Sequence, residues 1–390
     1  MIDFKFRPFA LPAEGPFFVY LSPKYPHMAQ CISPLLVMLL LTACVDPVAP
    51  EYDYATGFLL VEGRIVDRPG YSQVRISRST YEFGVYRLAP LTDLAVVSIE
   101  DGTRETPWIT GEEAGTYVPP ASFRAEPGRS YAIRVITERG ERIESEAEVM
   151  PPPVPLRDIR MRFDQEAYYS VDRGRFIPAF TLLADFDDPA GSDNFYQHKY
   201  RTWSQTAICA TCYGGVYRGG ECVDQPRVDY YDYLCLGTCW TIDRNPNFRL
   251  LSNERNPGGR YRDFPVARFD FVGSGGILAE VEQYTLSRRA HAYFGVINDL
   301  TEGSAGLNAP LPAPLYGNLQ DRSGLQTSVL GYVAAAALTT DRLYWNRDTV
   351  PGTPVVGRRV ARLEPLSPAP PSAPCSGPNF TSEQPEGWLN

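Results

Sequence analysis

Gly57-Phe58-Leu59-Leu60-Val61-Glu62-Gly63-Arg64-Ile65-Val66, the turn Asp67-Arg68-Pro69-Gly70, and then Tyr71-Ser72-Gln73-Val74-Arg75-Ile76-Ser77-Arg78 form the stretch that decides the fold. The first run has an apolar start and the length of a strand. After the turn, Val74 and Ile76 alternate with Gln73, Arg75 and Ser77, which is the period of a half-buried strand. A hairpin with one buried face is predicted. Further strands are predicted at 94–99, at 115–118, and at 130–137 and 142–149 on either side of Glu138-Arg139-Gly140-Glu141. So many short strands in so few residues predict an immunoglobulin-like or transthyretin-like β-sandwich over 57–150. Pro151-Pro152-Pro153-Val154-Pro155 cannot continue a ladder and sets a domain boundary.

Beyond that boundary, strands are predicted at 156–163, 180–186, 195–203, 266–272 and 277–286, with β-structure returning at 328–338 and 341–345. One helix is predicted from an N-cap at Ser287 to Leu300, because Ala290, Tyr293, Phe294 and Ile297 share a face. His291 falls off that face and reads as a solvated helix residue. The chain is therefore expected to be mainly β: the sandwich, then a larger β-rich domain over 151–365 with one packed helix. That domain carries a Cys-rich insertion at 204–262, read as a long loop pinned by cross-links. A Pro-rich tail at 366–390 ends in a Cys/Trp segment.

Hydrophobic residues make up 44% of 390 residues, enough for substantial cores, and no low-complexity run argues for disorder. The formal charge is −9, and of 37 basic residues only Lys5, Lys24 and Lys199 are lysines. No basic field is available to hold nucleic acid, and that class is excluded. Histidine occurs only at His27, His198 and His291, which leaves little material for an imidazole-based catalytic or metal centre.

Residues 32–41 are the sustained apolar run, too short to span a bilayer as a mature helix, and they end in Leu41-Thr42-Ala43-Cys44. Residues 1–43 read as a signal peptide, with Met28 as an alternative start, and Cys44 as the lipidated first residue of the mature chain. Residues 44–56 read as an acidic, extended tether.

Six further cysteines, Cys209, Cys212, Cys222, Cys235, Cys239 and Cys375, are an even number in an exported chain, and disulfides are expected. Cys209-x2-Cys212 with Cys235-x3-Cys239 also has the form of two zinc knuckles, but oxidation competes and no His assists. No metal and no cofactor is assigned. Pairing within the 209–239 cluster is expected to leave one cysteine for Cys375, with Cys239 as the favoured partner.

The insertion also carries Tyr213, Tyr217, Tyr230, Tyr231, Tyr233 and Trp240 among Arg218, Arg227, Asp229 and Asp232. Aromatics with Arg are what interfaces enrich, so these six are interface candidates, with a loop core around disulfides as the competing reading. Asp185, Asp187, Asp188 and Asp193 lack calcium-loop spacing and read as an acidic solvated turn. No catalytic residue is assigned: no nucleophile elbow surrounds Ser287, and no carboxylate pair can be singled out.

Several segments together resemble a Bacteroidota lipoprotein family, that of domain of unknown function 4249. They are the lipobox at Cys44, Leu60-Val61-Glu62-Gly63-Arg64-Ile65, Val74-Arg75-Ile76-Ser77-Arg78 and Tyr284-Thr285-Leu286-Ser287 with Tyr293-Phe294. Pro314-Leu315-Tyr316-Gly317-Asn318, Val329-Leu330-Gly331-Tyr332 and the tail from Cys375 to Trp388 continue the order. The resemblance implies an outer-membrane lipoprotein often encoded beside TonB-dependent receptors. The expected function is a non-enzymatic accessory subunit of such a transporter, aiding ligand capture or gating. The alternative is a stand-alone surface lipoprotein that binds glycans or peptides. If Cys44 carries the lipid, Cys44→Ser should release the protein from membranes on fractionation. Retention of a folded Cys44→Ser protein would refute the assignment.

Overall fold

The computed structural model describes residues 56–82, 84–303, 315, 317–356, 360–366 and 368–389; the signal segment, Cys44 and all of the tether but Thr56 lie outside them. The hairpin forms as the alternation requires. Leu59–Val66 pairs antiparallel with Gln73–Glu82, with Val61 opposite Ile76 and Gly63 opposite Val74. Leu59, Val61, Ile65, Val74 and Ile76 are buried on one side. A second partner comes from far along the chain: Gly63, Arg64, Ile65 and Val66 run parallel to Val333, Ala334, Ala335 and Ala336. One large sheet results. Its order is Phe380–Thr381, Tyr230–Arg244, Phe195–Tyr213, Gly276–Leu286, Val333–Asn346, Leu59–Val66, Gln73–Glu82, Thr116–Val118 and Ile109–Thr110.

Two smaller sheets cover one face of this sheet, giving a sandwich-like, mainly β molecule. Over the hairpin lies the sheet containing Ala95–Glu100, Ser130–Ile136 and Arg142–Ser145. Val96, Ile133, Val135 and Ile143 pack there on Val61, Ile76, Val333 and Ala335. Over the other half lies the sheet of Leu156–Ser170, Arg175–Asp187 and Arg260–Asp270, where Met161, Phe180, Leu182 and Val266 meet Tyr200, Ala279 and Val281. The expected boundary at 150/151 is where the chain leaves one covering sheet for the other. The large sheet takes strands from both sides of that point.

The opposite face carries the helix Arg288–Gly303. Ser287 caps it: the Ala290 N–H donates to Ser287 Oγ at 3.0 Å. Ala290, Tyr293 and Leu286 pack with Ala334, Ala336 and Leu338, as the apolar stripe predicts. His291 is half-buried rather than solvated, its ring 5.2 Å from that of Phe195. The buried Glu148 ties three elements together, accepting from Ser287 Oγ (2.8 Å), from the Tyr332 hydroxyl and from the Ala335 N–H (3.2 Å).

The Cys-rich insertion is a correction to the loop reading. Phe195–Tyr213 and Tyr230–Arg244 are long strands paired from Arg201/Arg244 to Tyr213/Tyr230, so they continue the large sheet as a ribbon. A small hairpin, Gly215–Arg218 with Glu221–Asp224, closes its tip. The pattern hid this because Gly, Cys and Thr occupy positions where ordinary strands carry Val or Ile. The strand Val85–Pro90 likewise leaves no pattern in the sequence, being a largely exposed edge without a buried face.

Gly331 shows how close the parallel junction is. Its φ is +106°, and an added Cβ would lie 2.1 Å from the Val61 carbonyl oxygen. Gly331→Ala should cost at least about 2 kcal/mol, from left-handed strain plus displacement of the adjacent strand. Urea unfolding under oxidising conditions measures it. A loss below about 0.5 kcal/mol would show that the junction can open without penalty.

Candidate functional site

Between the helix and the C-terminal tryptophan segment, the open face of the large sheet carries a lane of charged side chains. Strand period places them: Gln197, Lys199, Arg201 and Trp203 on one strand, Leu278, Glu280, Glu282 and Tyr284 on the next, and Leu338, Thr340, Arg342 and Tyr344 on the third. The register sets Lys199 opposite Glu282, and Arg201 opposite Glu280, which in turn faces Arg342.

Glu280 is fully buried and is the centre of the lane. Arg201 Nε donates to its Oε1 at 2.6 Å and Arg342 Nε to its Oε2 at 2.5 Å. The Tyr71 hydroxyl donates to Oε1 at 3.1 Å and accepts from Arg201 Nη2 at 2.5 Å. Both guanidiniums lie over the Trp203 ring, at 5.0 and 5.2 Å, so an aromatic face supplements the single carboxylate they share. Burial, and then the Glu280 charge, raise the Tyr71 phenol above its ordinary range.

Toward the helix the balance changes. Glu282 accepts from the Tyr284 hydroxyl at 2.8 Å and lies 3.5 Å from Arg201 Nε. Arg64 sits over the Tyr284 ring at 4.1 Å, with Nη2 donating to Gln197 Oε1 at 3.0 Å. Burial and the neighbouring Arg64 charge push Lys199 down to about 8, against the opposing pull of Glu282. At the far end Trp240, Trp388 and Tyr344 close the lane, with ring centroids 5.9 and 5.3 Å from Trp388.

The cysteines form three disulfides: Cys209–Cys235, Cys212–Cys222 and Cys239–Cys375. Cys212, which the zinc arrangement requires, is bonded to Cys222, although the sulfurs of Cys209, Cys235 and Cys239 all lie within 4.8 Å of one another. The last bridge is the long-range one expected from the sequence, and it staples the tail to the ribbon. Backbone bonds extend the staple: Leu236 N donates to Ala373 O at 2.9 Å and Ala373 N to Leu234 O at 2.8 Å.

The six aromatic interface candidates separate. Tyr217, Tyr233 and Trp240 are buried, in contact with Cys212 and Ala373 for the first two and with Trp203 and Trp388 for the third. Their burial makes them part of the packing that holds the ribbon and the tail. Tyr213 is 72% exposed. Tyr230 and Tyr231 are half-buried beneath Arg362, at 5.0 and 5.7 Å.

The aspartates are a solvated turn only in part: Pro189, Ala190, Gly191 and Asp193 are exposed, but Asp185 and Asp188 are buried, which corrects the reading for those two. Asp188 is buried and accepts from Tyr196 Oη (2.5 Å), Asn194 Nδ2 (2.9 Å), Asn253 Nδ2 (2.7 Å) and Gly258 N (2.8 Å). Asp185 receives two bonds from Arg160, while Asp187 pairs with Arg157 and Arg262 and Asp193 with Arg288. Each carboxylate is committed to holding the chain.

A family model described as domain of unknown function, DUF4249, matches residues 45–342, and the chain belongs to that family. No curated protein and no solved structure matches the chain.

Because Glu280 neutralises two arginines, Glu280→Ala should cost on the order of 2–4 kcal/mol, moderated by the water both guanidiniums still reach. Pairing it with Arg201→Met and Arg342→Leu should recover most of the loss. Chemical denaturation of the single and triple variants decides this, and an unaffected single variant would show that the lane does not need its buried carboxylate.

Proposed function

We propose that this chain is a non-enzymatic accessory lipoprotein, anchored through Cys44 to the outer membrane and docked on a TonB-dependent transporter, where it assists ligand capture or gating. One observation carries the reading: a ribbon held by two disulfides keeps apolar side chains in water. Tyr213 and Leu236 are 72% and 79% exposed on that ribbon, and Val223 and Leu234 are exposed on it as well. Exposed apolar groups on a cross-linked scaffold lose little conformational freedom on binding, which favours an interface. The family relation and the Leu-Thr-Ala-Cys junction support the membrane context.

Truncating the exposed groups should therefore weaken docking without unfolding the ribbon. Tyr213→Ala combined with Leu236→Ala is expected to cost about 2–4 kcal/mol of binding. Trp240→Ala should unfold the tail region instead. The measurement is affinity capture from solubilised outer membranes in mild detergent. Capture of no transporter by the wild-type chain, or equal capture by the double variant, would refute the proposal; retention on glycan or peptide arrays would then favour a stand-alone binding role.

A further inference from the structure

Arg64 is anomalous among the arginines of the sheets. Its Nη1 is buried and has no hydrogen-bond partner. Nη2 is used by Gln197, and aromatic rings flank the guanidinium, Tyr284 at 4.1 Å and Phe294 at 5.9 Å. No carboxylate among the described residues forms an ion pair with it. Glu62, two residues away on the same strand face, lies directly opposite Arg75 across the ladder. Glu282 already holds the Tyr284 hydroxyl and lies near Arg201. Lys199 is close enough that Arg64 disfavours its protonated form. Two neighbouring cations, one with an orphaned donor, thus share Glu282, which lies opposite Lys199 but also holds the Tyr284 hydroxyl and lies near Arg201.

We propose that Arg64 and Lys199 together bind the carboxylate of a small organic anion, Arg64 through its unpartnered Nη1 and Lys199 as the second cation. A carboxylate supplies the missing acceptor, matches the planar guanidinium and relieves the repulsion between the two charges. The Tyr284 and Phe294 rings limit water around the pair and favour an anion with an apolar body. The charges that act on Lys199 are Arg64 on the N-terminal strand and Glu282 directly opposite on the next; Arg201 follows on its own strand face, and Glu62 shares the strand face of Arg64 and acts on Tyr293 of the helix. A bound anion stabilises protonated Lys199, so binding above pH 8 takes up a proton. Affinity therefore falls as pH rises between the free and the bound midpoints of Lys199, by a total factor set by the difference between them, about threefold for half a pH unit.

Lys199 is the only lysine between residues 25 and 390, which makes it a clean reporter. Reductive methylation with 13C-formaldehyde keeps the amine charge and gives a resonance assigned by its loss in Lys199→Arg. Its titration should have a midpoint near 8 in the full chain and should move upward by at least about half a pH unit with saturating succinate. In Arg64→Gln the response to succinate should vanish. Calorimetry of the unmethylated chain should show at least about tenfold weaker succinate binding in Arg64→Lys, which keeps the charge but not the planar fork, should Arg64→Gln fail to fold. A midpoint insensitive to succinate in the wild-type chain, or a wild-type response in either Arg64 variant, overturns the proposal. Transporter capture does not enter this readout, so the result stands apart from the docking proposal.

Discussion

The parallel pairing of Leu59–Val66 with Val333–Asn346 is the constraint on which the rest depends. It seats the N-terminal hairpin in the same sheet as the last long strand, and it requires Gly331 to lie against the Val61 backbone. With that strand in place, the sheet has one face for two covering sheets and one for the helix. Its alternating residues then divide: Val333, Ala335 and Ala337 enter the sandwich core, and Ala334, Ala336 and Leu338 lie under the helix. Small alanines at these positions allow layers to approach from both sides at once. The charged lane exists because the helix covers only part of its face and the tryptophan cluster another part.

The lane also shows how a sheet can carry buried charge. Glu280 cannot be hydrated, so its two oxygens are divided between two guanidiniums and a phenol. The arginines are in turn laid on Trp203, whose ring accepts cationic charge without needing to be polar. Removing any member leaves the others short of a partner, which couples the strands more tightly than their ladder bonds alone.

Much of this was legible in the sequence, for physical reasons that differ from place to place. The hairpin at 57–78 announces itself because one face is buried and the other wet, so the alternation of Val74 and Ile76 with Gln73 and Arg75 survives. The helix is legible from Ser287 and the spacing of Ala290, Tyr293 and Ile297. The ribbon at 204–240 was not, since cross-links and the packed tail stabilise strands whose residues have weak β-preference. Burial of Tyr233 and Trp240 depends on the tail, far off in sequence, and composition alone gave no means of separating them from the exposed Tyr213. The lane left a signal that could have been followed: Lys199-x-Arg201 and Glu280-x-Glu282 put like charges on one face of adjacent strands, each interrupted by a buried apolar residue. Opposite charges at matched spacing in two predicted strands argue for pairing in register.

The Cys239–Cys375 bridge, with a sequence separation of 136, closes a covalent ring that contains the helix and two long strands of the large sheet. A peptide bond cut anywhere inside this ring leaves a molecule of unchanged covalent mass, apart from one water, whose two pieces cannot diffuse apart. Exposed segments inside the ring, including Leu325 and Val356, can therefore be nicked while the tail stays on the ribbon. Such damage would be invisible on a non-reducing gel and would appear as two fragments once the cystines are reduced. The bridge thus confers tolerance to proteolysis as well as the usual restriction of the unfolded chain.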